Sequence, residues 1–143
     1  MFIGEYHHAL DGKGRLAVPA KFRAALRAGC VVTRGIDACL FLFTREEWGR
    51  LAQQITALPI TQANSRAFAR LMLAGAMDCE VDGQGRILLP EYLRRYAGLK
   101  KLTVIAGLST RLEIWDAAAW EAYKGKTEAS ATAIAEHLGT LGV

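Results

Sequence analysis

The feature that most constrains this chain is a motif that occurs twice. Asp11-Gly12-Lys13-Gly14-Arg15-Leu16-Ala17-Val18-Pro19 returns 71 residues later as Asp82-Gly83-Gln84-Gly85-Arg86-Ile87-Leu88-Leu89-Pro90. One residue is then inserted and the register continues. Gly35 aligns with Gly107, Leu40 with Leu112, Phe43 with Trp115 and Trp48 with Trp120. Two separate stretches at nearly one offset make the chain a tandem pair of modules of about 70 residues each. The expected division is a first module at 1–60, a connecting helix at 61–76, a second module at 77–126, and a C-terminal helix or tail at 127–143.

Each module reads the same way. Phe2–Leu10 has the look of a strand, and Asp-Gly after it is a strong hairpin signal. Arg15–Val18 is the returning strand. Pro19 suits the first turn of a helix, where its missing N–H costs nothing, and Gly29 suits the helix stop. Cys30–Thr33 and Cys39–Thr44 are β-prone runs around a turn. Thr44-Arg45-Glu46-Glu47 has the capping-box pattern and opens a helix through Trp48, Leu51 and Ile55. In the second copy Met77–Val81 and Arg86–Leu89 flank the turn, and Pro90 opens a short helix. Leu102–Ala106 and Arg111–Trp115 form a hairpin, and Asp116 caps a helix carrying Trp120. Ala63–Ala76 places Phe68, Leu71, Met72 and Gly75 on one helical face. Such a module alone leaves strand edges open. Two of them solve this by pairing into one pseudo-symmetric small β-barrel with flanking helices, an α+β fold.

Composition narrows the function classes. Hydrophobic residues make up 52% of the chain, too many for a disordered segment. The formal net charge is +4, which permits a polyanionic partner without demanding one. Cys30, Cys39 and Cys79 are odd in number and lack Cys-x-x-Cys spacing, so a disulfide framework and a structural zinc site are not expected. They read as small buried hydrophobes of a reducing compartment. The N-terminus has neither the basic nor the apolar region of a signal peptide, and no apolar run reaches membrane length. A cytoplasmic, nucleoid-associated protein is expected. His7-His8 cannot both face one side of a strand, so no metal site is expected. Nucleophile–base pairs and phosphate loops are absent from the sequence, which argues against an enzyme, a cofactor or a small-molecule substrate.

The repeated turn carries the functional reading. Asp11, Gly12, Gly14, Asp82, Gly83 and Gly85 are explained by turn chemistry: Asp caps the turn, and glycine keeps the loop slim. Arg15 and Arg86 are not needed by a turn. Arginine suits a bidentate contact with guanine O6 and N7, or with a phosphate. Lys13 occupies the first tip and Gln84 the second, so the copies are unequal. Lys21 and Arg23, on the short helix after the turn, either reach phosphates or line a solvated face. Asp11 and Asp82 either orient their arginines or only cap the turn.

These residues, with the opening Met1-Phe2-x-Gly4-x-Tyr6, Lys21-Phe22-Arg23, Arg66–Ala76 and Glu113-Ile114-Trp115-Asp116, give a chain that resembles the MraZ family from Met1 to about Lys124. The resemblance implies an AbrB-like swapped-hairpin fold. It implies a transcriptional repressor of the division and cell-wall gene cluster, its own promoter included. It also implies a ring-shaped homo-oligomer on G-rich direct repeats of double-stranded DNA, with Lys13, Arg15, Gln84 and Arg86 at the DNA. A competing reading is an antitoxin-like barrel whose main partner is another protein.

Overall fold

A computed structural model describes residues 1–142. Val143, the last residue of the expected tail, lies outside the described residues. The first copy contains β1 (Phe2–Ala9), β2 (Arg15–Ala17), a 3-10 turn (Ala20–Phe22) running into α1 (Arg23–Leu26), β3 (Cys30–Arg34), β4 (Leu40–Thr44) and α2 (Arg45–Thr56). Helix α3 (Ala63–Ala69) leads through a π-helical segment, Arg70–Ala74, into the second copy. That copy contains β5 (Met77–Cys79), β6 (Arg86–Leu88), α4 (Glu91–Tyr96), β7 (Leu102–Ser109), β8 (Arg111–Asp116) and α5 (Ala117–Ala129), followed by α6 (Ala131–Gly139).

The copies do not fold side by side; they exchange strands. All pairings are antiparallel, and six strands form one sheet in the order β1-β7-β8-β4-β3-β5, while β2 and β6 form a separate ribbon. The first strand of each copy therefore lies against the other copy's sheet: β1 on β7, and β5 on β3. A pseudo-two-fold axis runs through two of these pairings. In the ribbon it passes between Leu16 and Ile87, which face each other. In the sheet it passes between Phe41 and Glu113. Both pairs join positions that the sequence repeat had aligned.

The expected hairpin is corrected by this exchange. After the Asp-Gly turn, the expected ladder goes no further than one bridge, Leu10 to Leu16, just past the end of β1. β2 then leaves to pair with β6. Leu16 and Ile87 drive the departure: at 0% and 1% exposure they cap a core that neither copy could close alone. Period-two alternation does the rest. Leu40, Leu42, Leu112 and Ile114 point from the sheet toward the ribbon and meet Phe22, Leu26 and Leu93 from the short helices. Phe41, Phe43 and Trp115 point the other way and meet Ile55, Trp48, Leu51, Phe68 and Trp120. The sheet thus has the ribbon on one face and long helices on the other.

Helix starts follow the expected chemistry, with one difference. The Thr44 hydroxyl accepts the Glu47 N–H at 3.1 Å, but the Glu47 carboxylate turns to Arg50, so only half of the capping box forms. Asp116 accepts the Ala119 N–H at 3.3 Å. The stretch read as one helix over Ala63–Ala76 widens to a π turn from Arg70. A buried donor faces the widening: the Thr33 hydroxyl gives a 2.6 Å hydrogen bond to the Met72 carbonyl. No helix among the described residues is long and apolar enough to cross a membrane.

The ribbon centre is the place to test this architecture. Leu16→Ala or Ile87→Ala removes a fully buried side chain from the junction of both copies. Each is expected to cost about 2–5 kcal/mol in denaturant unfolding. The transition should stay single, because neither copy holds a complete core. Separate unfolding of the two copies would contradict strand exchange.

Candidate nucleic-acid interface

The two turns are built alike, atom for atom. Asp11 Oδ1 accepts the backbone N–H groups of Lys13 and Arg15, each at 2.9 Å. Its Oδ2 accepts Arg15 Nε at 2.6 Å. Asp82 Oδ1 accepts the N–H groups of Gln84 at 2.8 Å and Arg86 at 3.0 Å, and its Oδ2 accepts Arg86 Nε at 3.0 Å. Capping the turn and orienting the arginine are therefore not alternatives. One oxygen of each carboxylate caps the turn and the other orients the arginine.

This arrangement divides the guanidinium. Nε is committed inward, while the terminal nitrogens of Arg15 are left for other partners. Arg86 Nη1 also lies 3.7 Å from Asp11 Oδ2, so the two turns share one charge cluster. The carboxylates are stabilised as anions. Hydrogen bonding from the Arg15 backbone N–H, with help from the Arg15 side chain and the Lys13 N–H, pulls Asp11 down to about 2 from an ordinary 3.8. Asp82 is lowered chiefly by the Arg86 backbone N–H.

Ribbon register places both arginines on one surface. Arg15 stands opposite Leu88, and Ala17 opposite Arg86. Because Leu16 and Ile87 face inward, Arg15, Ala17, Arg86 and Leu88 all face outward. Lys13 and Gln84 are exposed at the tips. Each turn is also bonded to the other copy: Val18 N–H donates to Gly85 O and Leu89 N–H to Gly14 O, both at 2.8 Å.

The glycines divide into two kinds. Gly14 and Gly85 have φ of 83° and 78°, in the left-handed region. A Cβ on Gly14 would lie 2.9 Å from the Arg94 guanidinium, and one on Gly85 would collide with Arg23. Gly12 and Gly83 show neither need; an added Cβ there meets nothing within 4 Å. Slimness of the loop is thus a property of its second glycine.

Arg23 is therefore drawn to the turn, but to the other copy's turn. Its Nε donates to Val18 O at 3.0 Å while its guanidinium lies against Gly85. Arg94 does the same from the second copy, donating to Leu89 O at 3.0 Å and covering Gly14. Sequence reasoning missed Arg94. Extending the repeat four residues past Pro90 would have found it. Shallow grooves beside the turns add Lys100 and Lys101 near Asp11, and Arg27 near Asp82. Lys21 has a different setting, its ammonium 5.6 Å from the centre of the Tyr6 ring and 5.8 Å from that of Phe22.

The expectation of no metal site meets one grouping of possible ligands. Glu5, His7 and Glu121 bring ligand atoms within 4.8 Å of one another, a grouping hidden from spacing because Glu121 comes from α5. Glu5 is already engaged by Trp120 Nε1 at 3.0 Å and Lys124 Nζ at 3.1 Å. Arg66 donates to the Ile60 carbonyl of its own chain at 3.0 Å.

Comparison with known proteins follows the same two-copy pattern. A family model described as "MraZ protein, putative antitoxin-like" matches twice, at residues 1–71 and 72–140. The chain is 49% identical over 143 residues, all of both chains, to a protein of Acetivibrio thermocellus named "Transcriptional regulator MraZ". Proteins of the same name match at 50% identity over 138 residues in Desulforamulus reducens (96% of this chain, 97% of the relative) and over 143 residues in Desulfitobacterium hafniense (all of both).

Two measurements test the turn. Gly85→Ala is expected to destabilise by about 1–2 kcal/mol and to displace Arg23, whereas Gly83→Ala stays within about 0.5 kcal/mol of the parent. Asp11 has a depressed folded pKa. Its contribution to stability is therefore complete above pH 3.8 and is lost as pH falls from there through about 2. Asp11→Asn should flatten the acid limb of a stability–pH curve in that window and leave the neutral limb parallel to the parent.

Proposed function

Since the chain belongs to the MraZ family of transcriptional regulators and is not an enzyme, we propose that it recognises specific double-stranded DNA through the outward face of the β2–β6 ribbon and its two turns. The observation that carries this reading is the pair of outward arginines on one two-stranded ribbon, each held at Nε by its own aspartate. A two-stranded ribbon fits the major groove. An arginine fixed at Nε presents its terminal nitrogens in a set direction, as a bidentate contact with guanine requires. Lys13 beside Arg15, and Gln84 beside Arg86, give the two halves unequal chemistry. Arg23, and with it Arg94, supports the turns and adds charge for phosphates; Lys21 also supplies phosphate contact in this reading.

The division into modules at 1–60 and 77–126, joined by 61–76 and followed by 127–143, is proposed as the unit of duplication. The ribbon packed over the sheet is read as the small barrel, completed by side chains between ladder segments. One chain at +4 makes few phosphate contacts. A ring-shaped homo-oligomer on successive G-rich direct repeats supplies the missing affinity through multivalency. The expected role is repression of the division and cell-wall gene cluster and of its own promoter, within the cytoplasm at the nucleoid.

Fluorescence anisotropy on DNA from upstream of the gene tests the site. Arg15→Ala and Arg86→Ala should each cost about 1–3 kcal/mol and relax base preference. Lys13→Ala should weaken all sequences alike and lower the salt slope by about 1. Unchanged affinity in both folded arginine variants would sink the assignment. Footprinting and oligomer mass on the same samples test the repeats and the ring.

A further inference from the structure

Strand exchange brings together two cysteines that lie far apart in the sequence. Cys30 on β3 and Cys79 on β5 are direct partners in the antiparallel register. Their sulfurs are 2.9 Å apart. Both are free thiols. Directly opposed residues of an antiparallel pair hold their Cβ atoms close enough to approach the span of a disulfide. β5 is an edge strand, three residues long, and all of its pairing is to β3. A short edge strand of this kind opens locally at low cost.

We propose that Cys30 and Cys79 form a reversible dithiol–disulfide site whose oxidant is a small hydroperoxide, and whose closure ties the second copy's first strand covalently to the first copy's sheet. Cys30 is the attacking sulfur. The contact between the two sulfurs lowers its pKa, with Arg45 adding a smaller electrostatic pull in the same direction, and its S–H also lies 3.4 Å from the Cys79 carbonyl oxygen. Cys79 is correspondingly raised and remains the thiol of the pair.

When β5 lifts enough to admit hydrogen peroxide, the Cys30 thiol releases the proton that the leaving hydroxide will take, and its thiolate attacks one peroxide oxygen. The O–O bond breaks, hydroxide leaves and takes up a proton as water, and Cys30 becomes a sulfenic acid. The Cys79 sulfur gives up its proton and attacks the Cys30 sulfur. The S–O bond breaks, and the departing hydroxide takes that proton as a second water. Two thiols and one peroxide yield one disulfide and two waters, with two electrons passing from sulfur to the peroxide oxygens.

Cys39 is an internal control. It is buried, its S–H donates to the Ile36 carbonyl at 3.1 Å, and burial pushes its pKa up to about 12. A thiol so held is a poor nucleophile. The site requires no DNA contact, so it stands or falls separately from the proposed interface.

The test is to treat the full chain with stoichiometric hydrogen peroxide, quench with an alkylating agent under denaturing conditions, and record intact mass and a peptide map. Expected are the loss of two hydrogens, one Cys30–Cys79 linked peptide, an alkylated Cys39, and reversal by dithiothreitol. Cys39→Ser should still form the link. Cys30→Ser and Cys79→Ser should not, with folding checked by circular dichroism. The oxidised chain should also melt at a higher Tm than the reduced one. Two outcomes overturn the site: both thiols recovered free under peroxide that has already oxidised exposed Met77, or a link made through Cys39 or between chains. A Cys30–Cys79 link that leaves Tm unchanged overturns the tie between copies.

Discussion

The fold depends on Leu16 meeting Ile87 across the β2–β6 ribbon. Each residue comes from a strand of three residues, too short to be stable alone. Burying both against the other copy's core draws the strands out of their own hairpins. The remaining exchanges follow. Once β2 leaves β1, β1 must find hydrogen bonds elsewhere, and it finds them along β7 over eight residue pairs. The second copy has far less to exchange, since β5 pairs at three positions only. Duplication has thus built one core from two incomplete ones, and the incompleteness is what enforces the union.

The turns sit where this union is tightest. Each Asp-Gly-x-Gly-Arg loop springs from a ribbon strand and is covered by an arginine of the opposite copy. Its second glycine is required twice, for a left-handed backbone and for the arginine above it. The aspartate gives one oxygen to the loop and the other to the arginine that emerges from it. Orientation at the surface is therefore inherited from the core through a chain of short contacts, with few side-chain torsions left free.

Much of this was legible in the sequence, and the rest was hidden for definite reasons. The repeat, the turns, the Thr44 and Asp116 caps and the short helices after each proline are local, and local rules found them. Choice of strand partner is not local. An Asp-Gly turn between two apolar runs looks identical whether its strands pair with each other or part after one bridge. Arg23 was singled out but not its destination, because Gly85 is its neighbour only through the exchange. The π segment answers a hydroxyl from β3 that no periodicity within residues 70–74 reports. Cys30 and Cys79 appeared unrelated by spacing for the same reason that β3 and β5 did.

The pseudo-two-fold axis of the ribbon has a further consequence. A perfectly two-fold surface laid on a duplex fits equally well in either of two opposed directions, and so carries no sense of left and right. Here the axis relates Arg15 to Arg86 and Asp11 to Asp82, but it relates Lys13 to Gln84. In the proposed interface, this unlike pair, together with outward Ala17 set against outward Leu88, lifts the degeneracy between the two directions. Each subunit then has a head and a tail along the double helix, the polarity that successive copies must share if they are to read repeats that all run the same way.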